Sequence, residues 1–385
     1  MAAEPLAYLD HAATTPMRPA ATAAMLPFLT EHFGNPSGSH AAARRARRAI
    51  DDARDTLAEA LGCQPDEVVF TGGGTEADNT AIAGVLARRP GVAVCSAVEH
   101  HAVLHPVQAA GGSTVPVDRF GVIDLDALAQ VLAELGPDGV SVVSVMLANN
   151  EVGTVQPLAE VAAVVRREAA GAVLHTDAVQ GFLWLDVAAV ARAASPDLVS
   201  ISAHKFGGPQ GVGALVVRAG TPLAPLLIGG GQERDRRSGT QNVAGIVGMA
   251  AAAREVVDAR AALVARVGAL RDRLVDGLRA AVPGTSETVD PARKVAGSAH
   301  VCFHGVESEA LLFLLDQAGL CATAASSCAS GALDPSHVLA AMGVPRSQAT
   351  GSLRLSLGWS STTADVDRAL EIVPAAIGRL RRSAA

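Results

Sequence analysis

The sequence predicts an α/β protein with a mostly parallel sheet flanked by helices, and three observations lead there. Short β-branched runs alternate with longer helical stretches from about residue 65 onward. Glycine-rich or polar turns follow several of those runs, as they do where strands pass into helices. The composition is 49% hydrophobic but only 3% aromatic, so the core is built from Ala, Val and Leu, which suits close packing of helices on a sheet.

The strands are read in order as VVF at 68, VAVCS at 92, VSVVSVML at 140, AVLHTD at 172, LVSISAH at 198 and GALVV at 213. In such a sheet ligands gather at the carboxyl ends of the strands, so the polar residues after each run are the candidate site. A long helix rich in Ala, Val, Arg and Leu follows over roughly 244 to 282, and short strands resume near 298 and 352. A chain of 385 residues exceeds what one core usually holds, so two domains are expected. The predicted division is a large domain over 15–255 and a smaller one formed by 1–14 with 256–385.

The net charge of −7 gives no drive toward nucleic acid or anionic lipid. Arg44, Arg45, Arg47 and Arg48 alternate with alanines and lead into Asp51 and Asp52, which reads as a solvated helix face. No run of about 18 apolar residues occurs, and the N-terminus lacks the order of a signal peptide. A cytoplasmic location and no membrane contact are expected. The five cysteines form no CxxC pair and the eleven histidines no HExxH, so no metal site is expected.

After the first strand, VVFTGGGTEADN reads as a glycine-rich turn and a helix opening at Thr75, where free amides and the helix dipole favour an anion near Gly74 and Thr75. The turn could equally be an ordinary strand-to-helix connection, and no GK[ST] follows it, against a Walker-type nucleotide site. Asp177, just beyond the strand AVLHTD, could cap a helix, bind a metal or pair with a protonated ring nitrogen, and Gln180 lies three residues on. His100 and His101 follow another strand and could stack on or shuttle protons for a flat ligand, or be surface residues.

Lys205 follows the strand LVSISAH and precedes a glycine-rich turn. It is one of only two lysines, the other being Lys294, against 29 arginines. An arginine cannot form an imine, and a partly desolvated lysine can. Cys328 sits in the small-residue run AASSCASG between a predicted strand and a helix capped near Asp334 or Ser336. Cys63, Cys95, Cys302 and Cys321 fall in or beside predicted elements, where a small buried hydrophobe is ordinary, so Cys328 is the candidate nucleophile.

In register along nearly the whole chain, YLDHAATTP, FGNPSGSH, FTGGGTEADN, VEHHAVL, NNEVGTVQP, HTDAVQG, SAHKFGGPQGVGAL, RRSGTQNVAGIVG, SSCASGALDPSHVL and SLRLSLG resemble the cysteine desulfurases of the class V aminotransferase family. The resemblance implies the fold type I of pyridoxal-phosphate-dependent transferases, with a seven-stranded, mostly parallel sheet and a smaller α+β domain carrying the catalytic loop at about 321–336. It implies that Lys205 holds pyridoxal 5'-phosphate as a Schiff base and moves the substrate Cα proton. It assigns the ring nitrogen to Asp177, the phenolic oxygen to Gln180, and stacking and proton transfer to His100. The phosphate would lie on Gly74, Thr75, Ser202 and His204, with Thr240 reaching the phosphate of a neighbouring subunit in a homodimer. Asn150 and Arg354 would hold the carboxylate of L-cysteine, and Cys328 would take its sulfur as a persulfide, leaving L-alanine.

The loop resembles that of the long-loop desulfurases, but where SSGSACTS is common this chain reads AASSCASG, with Ala325 at a position where glycine is usual. The implied acceptor is a protein serving iron-sulfur cluster assembly, tRNA thiolation or DNA phosphorothioation. Competing readings are a selenocysteine lyase or another class V transaminase, which would not need Cys328, a non-catalytic sulfur-transfer scaffold, and a glycine-loop nucleotide-binding module.

Overall fold

A computed structural model describes residues 6–324 and 336–384. The loop position Cys328, with Ala325 and Asp334, therefore lies outside the described residues. The strands are β1 (Ala7–Tyr8), β2 (Val68–Thr71), β3 (Val92–Ser96), β4 (Ser113–Val115), β5 (Val140–Ser144), β6 (Val173–Asp177), β7 (Leu198–Ser202), β8 (Gly213–Val217), β9 (Thr285–Glu287), β10 (Ser298–Phe303), β11 (Leu320–Cys321) and β12 (Ser352–Ser356). The helices are α1 (Pro19–Thr30), α2 (Ala41–Leu61), α3 (Gly74–Arg88), α4 (His101–Ala109), α5 (Leu125–Leu135), α6 (Leu158–Glu168), α7 (Val187–Ala194), α8 (Val243–Ala281), α9 (Ser308–Gln317), α10 (His337–Ala341), α11 (Arg346–Ala349) and α12 (Thr363–Ala384).

Seven strands form the main sheet in the order β2-β8-β7-β6-β5-β3-β4. All its pairings are parallel except the two made by β8, which runs against both β2 and β7. β5, β6, β7 and β8 are buried at every position, because helices cover both faces and leave no solvent-facing side to alternate with polar residues. Phe182 and Phe206, fully buried with ring centroids 4.6 Å apart, are among the few aromatic rings of a mainly aliphatic core, and burying each contributes about 2–3 kcal/mol.

β9, β10 and β12 form a second, antiparallel sheet, and β1 pairs in parallel with β11. The first described residues are thus tied to the C-terminal third of the chain. α8 runs 39 residues and packs against α1 and α2 at one end and α12 at the other, so it is the connector between the two sheets. On α2 the four arginines are exposed while Ala43, Ala46 and Ile50 face inward, the amphipathic division that the charge run implies. Among the described residues no helix is long and apolar enough to cross a membrane.

Candidate active site

Parallel strands bring their carboxyl ends to one edge of the sheet, and the residues that follow them surround a cavity of about 440 Å³. Ten of the residues singled out from the sequence line it: Gly74, Thr75, His100, Asn150, Asp177, Gln180, Ser202, His204, Lys205 and Arg354. Thr240 is not among them; it is exposed on the segment before α8. That segment is held in an unusual shape. Glu233, Arg234 and Asp235 all have left-handed backbones (φ 49°, 57° and 63°), a conformation that costs about 1–2 kcal/mol per residue. The buried guanidinium of Arg54 grips both carboxylate oxygens of Glu233 at 2.9 Å and offsets part of that cost.

At the end of β2, Gly73 has φ +146°, which disfavours any side chain there, and a Cβ on Gly74 would stand 2.8 Å from Val179. The glycines thus let the first turn of α3 approach the β6 turn. The first amides of α3 have no partner within the helix and point, with Ser202 and His204, toward an adjoining open recess lined by Gly72, Gly74, Thr75 and Gln210. Glu76 also borders that recess, but its carboxylate is engaged by Arg237 at 2.9 Å and by the amide of Gly72 at 2.8 Å. The arrangement suits a bound anion such as a phosphate.

Lys205 ends a single helical turn, Ala203–Lys205, directly after β7, and its Nζ donates to the carbonyls of Ala12 at 2.6 Å and Ala13 at 2.9 Å. Gln180 Nε2 donates to the same Ala12 carbonyl at 2.7 Å, so the YLDHAATTP segment forms one wall of the site. Asp177, buried at the end of β6, accepts from the Val179 amide at 2.8 Å. Burial raises its pKa, an effect that the nearby Lys205 ammonium opposes. Two further buried carboxyls lie close by: Asp78, raised by burial and then by Asp177, and Glu99, raised chiefly by burial. Asp78 Oδ1 and Glu99 Oε2 have no hydrogen-bond partner among the described residues. His175 stands 3.6 Å from Asp78, but burial pushes its pKa down to about 3, so it is neutral and forms no ion pair. Buried carboxyls without a cation are costly, and a positive group entering the cavity would relieve that cost.

His100 is the N-cap of α4; its Nδ1 accepts from the Ala102 amide at 3.1 Å, leaving Nε2–H as the group it offers a ligand. Burial, and then the Lys205 charge, lower its pKa to about 4, so the ring is neutral near pH 7. Arg354, on β12, donates to the Asn150 carbonyl and to Asp10, each at 2.9 Å. Its Nε is buried and has no hydrogen-bond partner among the described residues. A guanidinium has more N–H groups than these two contacts use, so Arg354 is oriented with donors to spare for a carboxylate.

The four described cysteines are all poor thiolates. Burial pushes Cys63 up to about 12 and raises Cys95, Cys302 and Cys321 as well. Among the described residues no group of His, Cys, Asp and Glu could hold a metal ion. Sequence reading missed Asp10, Asp78 and Glu99. Asp10 and Asp78 lie inside the quoted blocks YLDHAATTP and FTGGGTEADN, but only the fold brings Asp10 to Arg354, 344 positions away.

The family model described as "Aminotransferase class-V" matches residues 7–369. An "IscS-like cysteine desulfurase" of Mycobacterium tuberculosis is 47% identical, covering 98% of this chain and 98% of that protein. A "Cysteine desulfurase IscS" of Methanosarcina thermophila is 42% identical over 97% of this chain and 92% of its own. Among solved structures, a "NIFS-LIKE PROTEIN" superposes with a TM-score of 0.89 at 33% identity, covering 97% of this chain and all of that one.

Proposed function

The chain belongs to the aminotransferase class-V family and is a cysteine desulfurase, and from that premise we infer that it binds pyridoxal phosphate on Lys205 and moves the sulfur of L-cysteine onto Cys328. The observation that carries the site assignment is the meeting of Lys205, Asp177, His100 and Arg354 on one cavity. The residues suit the cofactor. The partnerless Asp78 oxygen and the raised Asp177 want a cation, which a protonated pyridine nitrogen is, and the α3 amides want an anion, which the phosphate is.

Pyridoxal phosphate bound there supplies an electron sink that makes the hydrogen on the substrate Cα acidic. Lys205 Nζ would hold the cofactor and is the amine placed to move the Cα proton; the Ala12 and Ala13 carbonyls fix its position at the cavity wall. Asp177 would keep the cofactor's ring nitrogen protonated, and Gln180 would donate to its phenolic oxygen. Gly74, Thr75, Ser202 and His204, which line the adjoining recess, would cradle its phosphate. Arg354 and Asn150 hold the substrate carboxylate, and His100 offers a proton from Nε2.

Cys328, as a thiolate, forms a bond to the substrate sulfur while the substrate C–S bond breaks; that electron pair passes to the substrate carbon, which is protonated. The balance is L-cysteine plus enzyme thiol giving L-alanine plus enzyme persulfide. The persulfide sulfur then passes to an acceptor protein of iron-sulfur assembly, tRNA thiolation or DNA phosphorothioation. The working form is a cytoplasmic homodimer in which Thr240 of each subunit faces the other's phosphate site, and each chain divides near residue 255 into the two predicted domains.

The test is a product assay. The enzyme with L-cysteine and a thiol reductant is expected to release alanine and sulfide one for one. Arg354→Lys keeps a charge but loses the planar fork, so the KM for cysteine is expected to rise about tenfold with kcat changed less. Unequal products, or a KM indifferent to Arg354, would count against this reading.

A further inference from the structure

Asp78 stands on α3 three residues past Thr75, on the side of the helix that packs on the main sheet. Its neighbours there, Ala77, Ala81, Ile82 and Val85, belong to a buried aliphatic cluster, and Asp78 itself is 1% exposed. An aspartate inside a helix is a poor helix former, and an ionised one in an apolar seam is costly. Neither α3 nor its packing asks for a carboxyl at this position. Asp78 nevertheless lines the cavity, and its Oδ1 has no hydrogen-bond partner among the described residues.

The polar groups around Asp78 come from three other elements: Asp177 and His175 on β6, Ser200 on β7, and Glu99 in the turn after β3. His175 Nε2, 3.6 Å from Asp78, is joined instead to the Ser200 hydroxyl at 3.0 Å, and its Nδ1 to the Ser144 hydroxyl at 2.8 Å. The Ser200 hydroxyl favours the ionised form of Asp78, whereas burial, Asp177 and Glu99 all oppose it. Asp177 is better supported as an anion, because it has the Val179 amide at 2.8 Å and the Lys205 ammonium in its favour. Two buried carboxyls so placed do not ionise together unless a cation joins them, so Asp177 is the anion of the pair and Asp78 the acid. We propose that Asp78 is a positioning residue for the cofactor: acting through Asp177, it keeps its proton while no ring cation faces the pair and releases that proton to solvent when the cationic ring nitrogen meets Asp177. α3 then serves the cofactor twice, with its first amides at the phosphate and with Asp78 behind the partner of the ring nitrogen. This rests on Asp177 being that partner.

The test measures binding to the full-length apoenzyme of pyridoxal phosphate and of its 1-deaza analogue, which keeps the aldehyde and phosphate but has a carbon in place of the ring nitrogen. Asp78→Asn should weaken pyridoxal phosphate about tenfold and the analogue by less than about twofold, since only the former brings a ring cation to the pair. Infrared difference spectra on loading with pyridoxal phosphate should show the C=O stretch of one protonated carboxyl disappearing in the unsubstituted enzyme and in Glu99→Gln, and no such loss in Asp78→Asn. Undiminished affinity for pyridoxal phosphate in Asp78→Asn would overturn the proposal. So would an equal loss for both ligands, which would put the effect in the packing of α3 or the phosphate recess. A protonated-carboxyl stretch that survives loading of the unsubstituted enzyme, or that is still lost in Asp78→Asn, would do the same. If Asp78→Asn does not fold, Asp78→Ser and the spectra of the unsubstituted enzyme decide between the same outcomes. Unsubstituted apoenzyme that binds neither ligand would instead defeat the cofactor assignment itself.

Discussion

Lys205→Ala is expected to give a folded, colourless protein whose desulfurase activity is lower by at least about 1,000-fold, because the variant has no amine to hold the cofactor or to carry the Cα proton. The Lys205 side chain ends on the carbonyls of Ala12 and Ala13 at the cavity wall, so truncation removes few packing contacts, and the melting temperature without cofactor should change little. The absorption spectrum and borohydride reduction check it: reduction should fix the cofactor to Lys205 in the unsubstituted enzyme and to nothing in the variant. Lys294, the other lysine, is buried against Glu287, held in a place no cofactor could reach. A reducible adduct on Lys294, or colour retained in the variant, would overturn the assignment.

Cys328→Ser is expected to separate the two halves of the reaction. The visible band and its change on adding L-cysteine should persist, since the residues that hold cofactor and substrate carboxylate are untouched. Sulfide release should fall by about 100-fold or more, because a serine hydroxyl is scarcely ionised near neutral pH and oxygen is a poor nucleophile toward sulfur. No other cysteine among the described residues can take over, because burial holds Cys63, Cys95, Cys302 and Cys321 above the ordinary thiol range. Unchanged turnover in the serine variant would remove Cys328 from the mechanism.

The parts of the fold legible in the sequence were those with strong periodicity. Six runs of Val, Ile and Leu became β2, β3, β5, β6, β7 and β8, and the long helix was read to within a residue at each end. β4 was missed because Ser113–Val115 is three residues of mixed polarity beside two glycines, and β1, β9 and β11 are too short to show alternation. The reversed direction of β8 was also illegible, because GALVV reads alike in either sense and only the glycine-rich turn before it shapes the return.

Part of the candidate site was legible from position alone, because a polar residue soon after an apolar strand stands out, as Asp177, His100 and Lys205 do. Ser202, Asn150 and Arg354 were reached only through the family resemblance, since nothing in their spacing marks them. Asp10, which orients Arg354, does not stand out, because its strand is two residues long and its partner is distant in sequence.

The central claim is tested most directly by the absorption spectrum of the purified enzyme, supplied with pyridoxal phosphate, before and after L-cysteine. A band at about 400 nm, the region of a protonated lysine adduct of the cofactor, should shift on adding cysteine as alanine accumulates and Cys328 gains one sulfur atom. A protein that stays colourless with the cofactor, or a band that cysteine leaves unmoved, would contradict the assignment of Lys205, Asp177 and Arg354 to one working site.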